Sequence, residues 1–410
     1  MPEESPPEGA AAVDWRARAS AILPTGASTG SKRTESLYGN PDADAPSNFV
    51  RASGCTVWDA DGNEYLDCTM ALGAVALGYA EPNVSNAAIE AVASGHVSGL
   101  VHLREIEVAE RLASVVPCAE MVQWMKSGAE AMAAAVRIAR TYTGRSTVIG
   151  CGYFGWLDWS SQAAGVPTGV RGDFVPVPFD DLAALESAAS AAGASLAAIA
   201  IEPVIERLPS TDWIGRARAL CDAAGAALIF DEMKTGFRLR TGGYQEHSGV
   251  TPDLATFGKA MANGFPLAAV VGRRALMEVA RRTWISSTLA GEAVSLAAAN
   301  AVLDWHEQAD ICDSLASIGR DLRAGVDQAI AASGVAGVAS AGLDPMWFLR
   351  FDRPDRETRF LELAARRGLL LKRGAYNFAA IAHTDEVIQD VEAAASAAFV
   401  DLVEEERAVA

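Results

Sequence analysis

The stretch from Ala226 to Gly272 begins Ala-Ala-Leu-Ile-Phe-Asp-Glu-Met-Lys-Thr-Gly-Phe-Arg and decides the fold of this chain. It contains three short apolar runs, at 226–230, 254–257 and 267–271, which are bounded by Gly, Pro and Asp. Short apolar runs between such residues are typical of strands that are buried on both faces of a parallel sheet. The stretch therefore predicts three buried parallel strands.

Two of these strands end in residues that can carry chemistry. Asp231 closes the first strand, and Lys259 follows the second directly after Gly258. Ligands of open α/β sheets bind at the carboxyl ends of strands, which is where both side chains are expected. A partly buried lysine can lose its proton and act as a nucleophile, whereas arginine cannot. The alternative is a strand-end Asp and a surface Lys. The chain has only five lysines: Lys32, Lys126, Lys234, Lys259 and Lys372.

The rest of the chain continues the alternation of strand and helix. Such alternation favours an α/β fold with a mostly parallel sheet and right-handed crossovers. An Asp-Gly-Asn turn between alternating residues predicts a hairpin over 54–67. Further strands are predicted at 121–125, 146–151, 196–201, 346–351 and 369–372, and helices at 82–94, 103–115, 128–143, 180–192, 212–224, 274–282, 311–333, 354–367 and from 385 onward.

Composition narrows the possible functions. A chain of 410 residues suggests two domains. A net charge of −18 argues against nucleic-acid and anionic-membrane partners. The six cysteines show no pairing or zinc-site pattern, so we expect buried thiols and no metal. With no apolar run long enough for a membrane span and an acidic, Pro-rich start, a cytoplasmic protein is expected.

The Asp-Glu and Gly-Lys placement resembles the active-site core of class III, fold-type I enzymes that use pyridoxal 5′-phosphate (PLP). The resemblance is to the branch around glutamate-1-semialdehyde aminomutase. It implies a large PLP-binding domain (70–305) with a mostly parallel seven-stranded sheet wrapped by helices. It also implies a small α+β domain made from the N-terminal segment (1–69, with residues 1–13 disordered) and the C-terminal segment (306–410).

The resemblance assigns roles around the cofactor ring. Lys259 would form the Schiff base with the cofactor and then move the proton. Asp231 would keep the ring nitrogen protonated. Tyr153 would cover one face of the ring and Met233, where the family usually has Val, would pack against the other. Glu202, in Glu-Pro-Val, would support the surroundings of the cofactor.

The Lys-Ser-Gly-Ala-Glu-Ala turn at 126–131 resembles the family's Asn-Ser-Gly-Thr-Glu-Ala phosphate motif. By itself it is only a possible helix start. The resemblance implies that Ser127, Gly128 and Ala129 bind the cofactor phosphate. In the same way, Thr288 in Ser-Ser-Thr is a helix cap on sequence alone. The resemblance makes it a phosphate ligand for the neighbouring subunit, in a homodimer with shared active sites.

Other positions depart from the family or lie in its substrate region. Phe154 stands where the family usually has His and is counted among the cofactor contacts. The stretch from Trp156 to Phe179 is shorter than the gating loop of a typical aminomutase. Lys32 and Arg33 fall in a loop that carries a substrate-carboxylate arginine in that branch, although solvated loop cations are the alternative. Trp156 is a further candidate substrate contact.

The function implied is a PLP-dependent aminotransferase that takes its amino group from an amino acid such as glutamate and passes it to a carbonyl acceptor. The runner-up is glutamate-1-semialdehyde 2,1-aminomutase, which moves the amino group within one molecule and needs an enclosed site. An epimerase and a non-catalytic binding protein on the same fold remain as further alternatives. The pairing of Lys259 with Asp231 speaks against the last of these.

Overall fold

The computed structural model describes residues 13–409, so the disorder predicted for residues 1–13 falls, apart from Val13, outside the described residues. The described part of the chain forms these strands: β1 (Arg51–Ser53), β2 (Thr56–Trp58), β3 (Glu64–Asp67), β4 (Met121–Met125), β5 (Thr147–Cys151), β6 (Phe174–Pro176), β7 (Leu196–Ile201), β8 (Ala227–Asp231), β9 (Leu254–Phe257), β10 (Ala268–Gly272), β11 (Val338–Leu343), β12 (Met346–Phe351), β13 (Leu369–Leu370) and β14 (Asn377–Phe378).

Helices connect and cover these strands. They are α1 (Trp15–Ile22), α2 (Thr34–Tyr38), α3 (Met70–Gly73), α4 (Pro82–Ala93), α5 (Leu103–Val115), α6 (Gly128–Thr143), α7 (Thr168–Arg171), α8 (Leu182–Ala192), α9 (Thr211–Ala224), α10 (Tyr244–Ser248), α11 (Arg274–Met277), α12 (Ala293–Gln308), α13 (Ile311–Ser333), α14 (Pro354–Arg366) and α15 (Asp385–Val409).

The central sheet has seven strands in the order β4-β10-β9-β8-β7-β5-β6. Strand β10 runs antiparallel to both of its neighbours, and the other adjacent pairs are parallel. The predicted seven-stranded, mostly parallel sheet is therefore confirmed, but the prediction of a parallel strand at 267–271 was wrong, because β10 pairs in the antiparallel sense. Strands β7 and β8 are buried along their whole length, as their continuous apolar runs require.

Strand register brings the two candidate catalytic residues to one edge of the sheet. Strands β8 and β9 are parallel neighbours, and Asp231 pairs with Thr256. Lys259 begins a 3₁₀ turn, Lys259–Ala262, two residues beyond the end of β9. The carboxyl ends of β8 and β9 therefore present an acid and an amine side by side.

Helices bury both faces of the sheet. Helix α6 lies in an apolar cluster with one face of the sheet and buries Met132, Ala135 and Ile138 there. The other face belongs to a larger cluster that includes Trp213 of α9 and Leu296 of α12. Complete burial of side chains of this size stabilises a fold by about 1.5–3 kcal/mol each.

A second unit combines the two ends of the chain. Strands β1, β2 and β3 form an antiparallel meander, and β13 joins it through parallel pairing of Leu369 with Leu66. A separate three-stranded sheet has the order β11-β12-β14 and is built from C-terminal residues alone. The N-terminal and C-terminal segments therefore fold together, whereas the domain boundaries at 69/70 and 305/306 stay predictions.

Most of the predicted helices are confirmed, but one is shorter than predicted, and one turn has an uncommon backbone conformation. The helix predicted over 274–282 is α-helical only through Met277 and then tightens into a 3₁₀ turn, Glu278–Arg282, as helix ends often do. The turn Met70–Gly73 is left-handed, because Met70, Ala71 and Leu72 all have positive φ. Left-handed backbone is unfavourable for residues with a side chain, so tertiary contacts hold this turn.

Candidate active site

Asp231 is a buried carboxylate with one oxygen left for a ligand. The residue is 6% exposed. Its Oδ1 accepts hydrogen bonds from the Met233 backbone N–H at 3.0 Å and from the Thr256 hydroxyl at 3.4 Å. Its Oδ2 accepts none from the residues that the structure describes. Burial, reinforced by the negative charge of Glu202, raises the pKa of Asp231 to about 7.

Lys259 is a partly buried amine whose backbone has an uncommon conformation, with φ of +48°. Burial lowers the pKa of the Lys259 ammonium below its ordinary value, and the positive charge of Lys234 lowers it further. Asp231 and Glu202 oppose this decrease without cancelling it. A lysine in these surroundings gives up its proton more readily than one in water, which nucleophilic attack by its nitrogen requires.

Asn263 fixes the turn that carries Lys259, and sequence reasoning missed this role. It ends the turn with φ of +45°, and Asn tolerates that conformation better than most residues. Its Oδ1 accepts the backbone N–H groups of Ala76 and Leu77, both at 3.0 Å, and its Nδ2 donates to the Gly78 carbonyl at 3.0 Å. The lysine turn is therefore tied to the segment that follows the left-handed turn.

Glu202 and Lys234 form an ion pair near Asp231 and Lys259. The other oxygen of Glu202, Oε2, accepts the Tyr153 backbone N–H at 3.0 Å. The Lys234 nitrogen lies 4.3 Å from the centre of the Tyr376 ring. Sequence reasoning named Glu202 and Tyr153 but not Lys234 or Tyr376. The one available indication was that Lys234 is one of only five lysines.

The predicted phosphate motif lies at the N-terminus of α6. Ser127 forms a capping box with Glu130 that uses the Ser127 hydroxyl and backbone N–H. Among the described residues, nothing accepts the next two backbone N–H groups, those of Gly128 and Ala129. Free N–H groups at a helix N-terminus favour an anion such as phosphate. A Cβ at Gly128 would lie 3.0 Å from the Met233 sulfur, so glycine lets this backbone approach the site wall closely.

The aromatic residues of the Tyr153 segment differ in burial: Tyr153 and Trp156 are exposed, whereas Phe154 is buried. Tyr153 is 73% exposed and Trp156 is 75% exposed. The Phe154 ring is buried and lies 5.5 Å from the Trp159 ring and 6.3 Å from the Phe174 ring. The Phe154 side chain is therefore part of the core. Only the backbone of Phe154 could therefore contact a cofactor, and this contact stays a prediction.

Three other predicted residues are not joined to Asp231 or Lys259 by a hydrogen bond or ion pair in the described structure. Thr288 is exposed and lines a groove between the segments 95–105 and 285–292. Lys32 is exposed at a largely apolar cavity of about 190 Å³ beside the left-handed turn. Arg33 is half-buried in a neighbouring cleft. Their roles stay predictions.

These features fit PLP, which combines a basic ring nitrogen, an aldehyde and a phosphate. The free oxygen of buried Asp231 suits the protonated ring nitrogen, and the amine of Lys259 suits the aldehyde. The free N–H groups of Gly128 and Ala129 suit the phosphate. The donor set at the carboxyl edge of the sheet thus matches the three functional groups of the cofactor.

Comparison with known families agrees with this site. The family model described as aminotransferase class-III matches residues 38–157 and 172–394. The chain therefore belongs to the class-III aminotransferases. Residues 158–171, which separate the two matched ranges, lie within the segment from Trp156 to Phe179 that is predicted to be shorter than an aminomutase gating loop.

The similar proteins include both an aminotransferase and an aminomutase. The chain is 32% identical to 3-aminobutyryl-CoA aminotransferase of Cloacimonas acidaminovorans, over 83% of this chain and 86% of the relative. It is 38% identical to glutamate-1-semialdehyde 2,1-aminomutase of Syntrophobacter fumaroxidans, over 70% of this chain and 72% of the relative. The names of these relatives leave the particular reaction open.

Solved structures share the whole fold. The FumI protein of Sphingopyxis sp. MTA144, in its PLP internal aldimine form, superposes with a TM-score of 0.91 at 26% identity, covering 96% of this chain and 97% of that one. An ω-transaminase from Sphaerobacter thermophilus superposes with a TM-score of 0.85 at 27% identity, covering 97% and 98%. Family, fold and donor set together make PLP the cofactor of this protein. Between residues 13 and 409, none of the helices is long and apolar enough to cross a membrane.

Proposed function

We propose that the protein is an aminotransferase that takes an amino group from an amino-acid donor, with glutamate as the first candidate, and gives it to a carbonyl acceptor. The observation that carries this proposal is the placement of Asp231 and Lys259 at one edge of the sheet. One is a buried acid with a free oxygen, and the other is an amine with a lowered pKa. Family membership supports the same chemistry.

Each residue has a defined task in this reaction. PLP, when bound, supplies an aldehyde for amines and a ring that withdraws electrons. Asp231 Oδ2 would hold the proton on the ring nitrogen. Lys259 Nζ would hold the aldehyde group when no substrate is present, and would later carry the proton of the donor Cα. The exposed Tyr153 ring would lie against the cofactor ring, and the N–H groups of Gly128 and Ala129 would hold the phosphate.

An aminotransferase is favoured over the aminomutase because of the segment after Trp156. An aminomutase must retain its intermediate, so it needs a lid over the site. Here the segment holds one helical turn, Thr168–Arg171, and rejoins the sheet at Phe174. The buried Trp159 ring lies 5.6 Å from the Phe174 ring and anchors the segment to the core. A short, anchored segment supports a site from which the keto product leaves.

Half-reactions test this choice. Glutamate added alone to the PLP-loaded protein is expected to release one equivalent of 2-oxoglutarate per active site and then stop. Production of 5-aminolevulinate from glutamate-1-semialdehyde without an added amino donor, together with no half-reaction for any amino acid tested, would establish the aminomutase instead. Substitution of Lys259 with Ala provides the control, because it removes the amine on which both reactions depend.

We also propose that the active unit is a homodimer with shared sites. Apolar side chains that are more than half exposed cluster in sequence around α4 and α5, and such exposure marks interaction surfaces. They are Ile89, Val92, Leu100, Val101, Leu103 and Ile106. The groove that contains Thr288 also includes Leu100. In a dimer closed over this surface, Thr288 would reach the phosphate of the partner subunit.

Sedimentation and subunit mixing test the dimer. The protein is expected to sediment as a dimer, and the Lys259→Ala and Thr288→Ala variants are each expected to have low activity. Mixed dimers would contain one site with both groups intact, so mixing the two variants should restore part of the activity. A fully active monomer would refute the proposal.

A further inference from the structure

We propose that Lys234 is a positioning residue of this active site. It clamps the carboxylate of Glu202, so that Glu202 can hold the Tyr153 segment without leaving an uncompensated negative charge beside Asp231 and Lys259. The inference rests on the proposed cofactor site and concerns how this chain sets the charge of that site.

The ion pair of Lys234 and Glu202 is built into the site. The two side chains are only 15% and 13% exposed. The Lys234 nitrogen also lies over the ring of Tyr376 at 4.3 Å, a favourable position for a cation. Tyr376 is fixed in turn, because its hydroxyl accepts the Glu206 backbone N–H at 2.6 Å. Lys234 is therefore held from two sides.

Glu202 connects this pair to the residue predicted to cover the cofactor. Its Oε1 pairs with Lys234, and its Oε2 accepts the Tyr153 N–H at 3.0 Å. The backbone of Gly152, just before Tyr153, packs closely against the same side chain. A Cβ at Gly152 would lie only 2.3 Å from the Glu202 Cβ. The position of Glu202 thus sets the position of the Tyr153 segment.

The groups around Lys259 act on its proton in opposite directions. Two acids, Asp231 and Glu202, and two cations, Lys234 and the fully buried Arg238, surround it. Burial lowers the pKa of Lys259 most, Asp231 opposes it, Lys234 lowers the pKa further, Glu202 raises it and Arg238 lowers it. Lys234 and Glu202 therefore act in opposite directions on the proton of Lys259.

The pair has the same opposite effects on the cofactor acid. After burial, Glu202 is the largest cause that raises the pKa of Asp231, whereas Lys234 lowers it. Burial alone would lower the pKa of Lys234, but Glu202 and Tyr376 raise it by a larger amount. The pKa of Lys234 therefore lies above its ordinary value. Lys234 therefore stays charged where the site operates.

Titration of the visible absorbance of the PLP-loaded protein tests the proposal, because that absorbance reports the proton at the Lys259 nitrogen. Lys234→Met should raise the midpoint by roughly one to two pH units, since it removes a nearby like charge. Glu202→Gln should lower the midpoint. The double variant should return to within about half a pH unit of the wild type, because it removes both charges.

The double variant also keeps the test valid if Lys234→Met folds poorly. It buries no unpaired carboxylate, and the Gln oxygen can still accept the Tyr153 N–H. Lys234→Arg, which retains the charge, should titrate like the wild type. A matched control is Arg218→Met, which removes a partly buried cation from an ion pair with Asp253 and should leave the midpoint unchanged.

The outcomes separate this inference from the proposed function. If the wild type binds PLP on Lys259 but Lys234→Met and Glu202→Gln titrate like the wild type, Lys234 has a structural role only and the inference is wrong. Equal shifts in the same direction for both single variants would also overturn it. If the wild type does not take up PLP on Lys259, the proposed function itself fails.

Discussion

Asp231 and Asp253 are two buried acids at opposite edges of the same sheet, and they are satisfied differently. Asp253 is 4% exposed and Asp231 is 6% exposed. Asp253 binds Arg273 at 2.7 Å through Oδ1, and Arg218 at 2.8 Å and the Leu228 N–H at 2.8 Å through Oδ2. Asp231 has partners on Oδ1 alone within the described structure.

The difference supports the proposed division of roles, in which Asp253 is structural and Asp231 is functional. Asp253 precedes β9 and ties α9 and β10 to the amino edge of the sheet, with both oxygens bound. Asp231 ends β8 and keeps one oxygen for a ligand, at the cost of a raised pKa. Buried charges without partners are expensive, so a fold retains one where a bound group completes it.

The largest expected effect comes from Asp231→Asn. The neutral amide cannot hold the proton on the ring nitrogen, so the chemical step should slow by roughly a thousandfold, equivalent to about 4 kcal/mol in the barrier. Single-turnover rates with glutamate measure this step separately from cofactor binding. Near-normal rates in a variant that still binds PLP would mean that the ring nitrogen has another partner.

The pH dependence of stability gives the next largest effect. In the cofactor-free protein the pKa of Asp231 is about 7, against an ordinary value of 3.8. The native state therefore favours the protonated acid, and wild-type stability should fall as pH rises from about 4 to 7 and then level off. Asp231→Asn removes this term, so the variant should match the wild type near pH 4 and exceed its stability at pH 8 by up to roughly 4 kcal/mol.

Urea unfolding of cofactor-free wild type and variant across this pH range provides the measurement. A difference between the two that does not change with pH would show that Asp231 is already ionised in the cofactor-free protein.

Asp253→Asn should lower the stability of the protein without slowing the reaction, which is the opposite of what Asp231→Asn is expected to do. The expected effect is somewhat smaller. It breaks two ion pairs that link three elements, so the free energy of unfolding should fall by about 3 kcal/mol. Single-turnover rates per folded, PLP-loaded site should stay unchanged, since Asp253 lies at the far edge of the sheet. A loss of rate without a loss of stability would contradict the division of roles between the two acids.

The regular elements could be predicted from sequence because their patterns are local. The bounds of α6 and α13 were predicted to the residue, since both begin at clear caps and keep a helical period. Strand β13 has two residues and depends on pairing with β3, about 300 residues earlier, so its predicted extent of 369–372 was too long. The left-handed turn at Met70 could not be predicted, because the Arg238 side chain that binds the Gly73 carbonyl at 3.2 Å comes from far along the sequence.

The candidate site divides in the same way. Asp231 and Lys259 could be proposed because strand ends are visible in the sequence and converge at one edge of a parallel sheet. Lys234 and Asn263 were missed, because their roles depend on contacts with Glu202 and with residues 76–78, which lie far away in sequence. The inward direction of the Phe154 ring likewise depends on packing against Phe174.

Identification of the residue that carries the cofactor tests the central claim most directly. The PLP-loaded protein would be reduced with borohydride, digested and mapped by mass spectrometry, with Lys259→Ala as the control. We expect the pyridoxyl group on Lys259 alone and none on any lysine of the variant. A label on Lys234 or Lys372 in the wild-type protein, with Lys259 unmodified, would contradict the assignment of the active site.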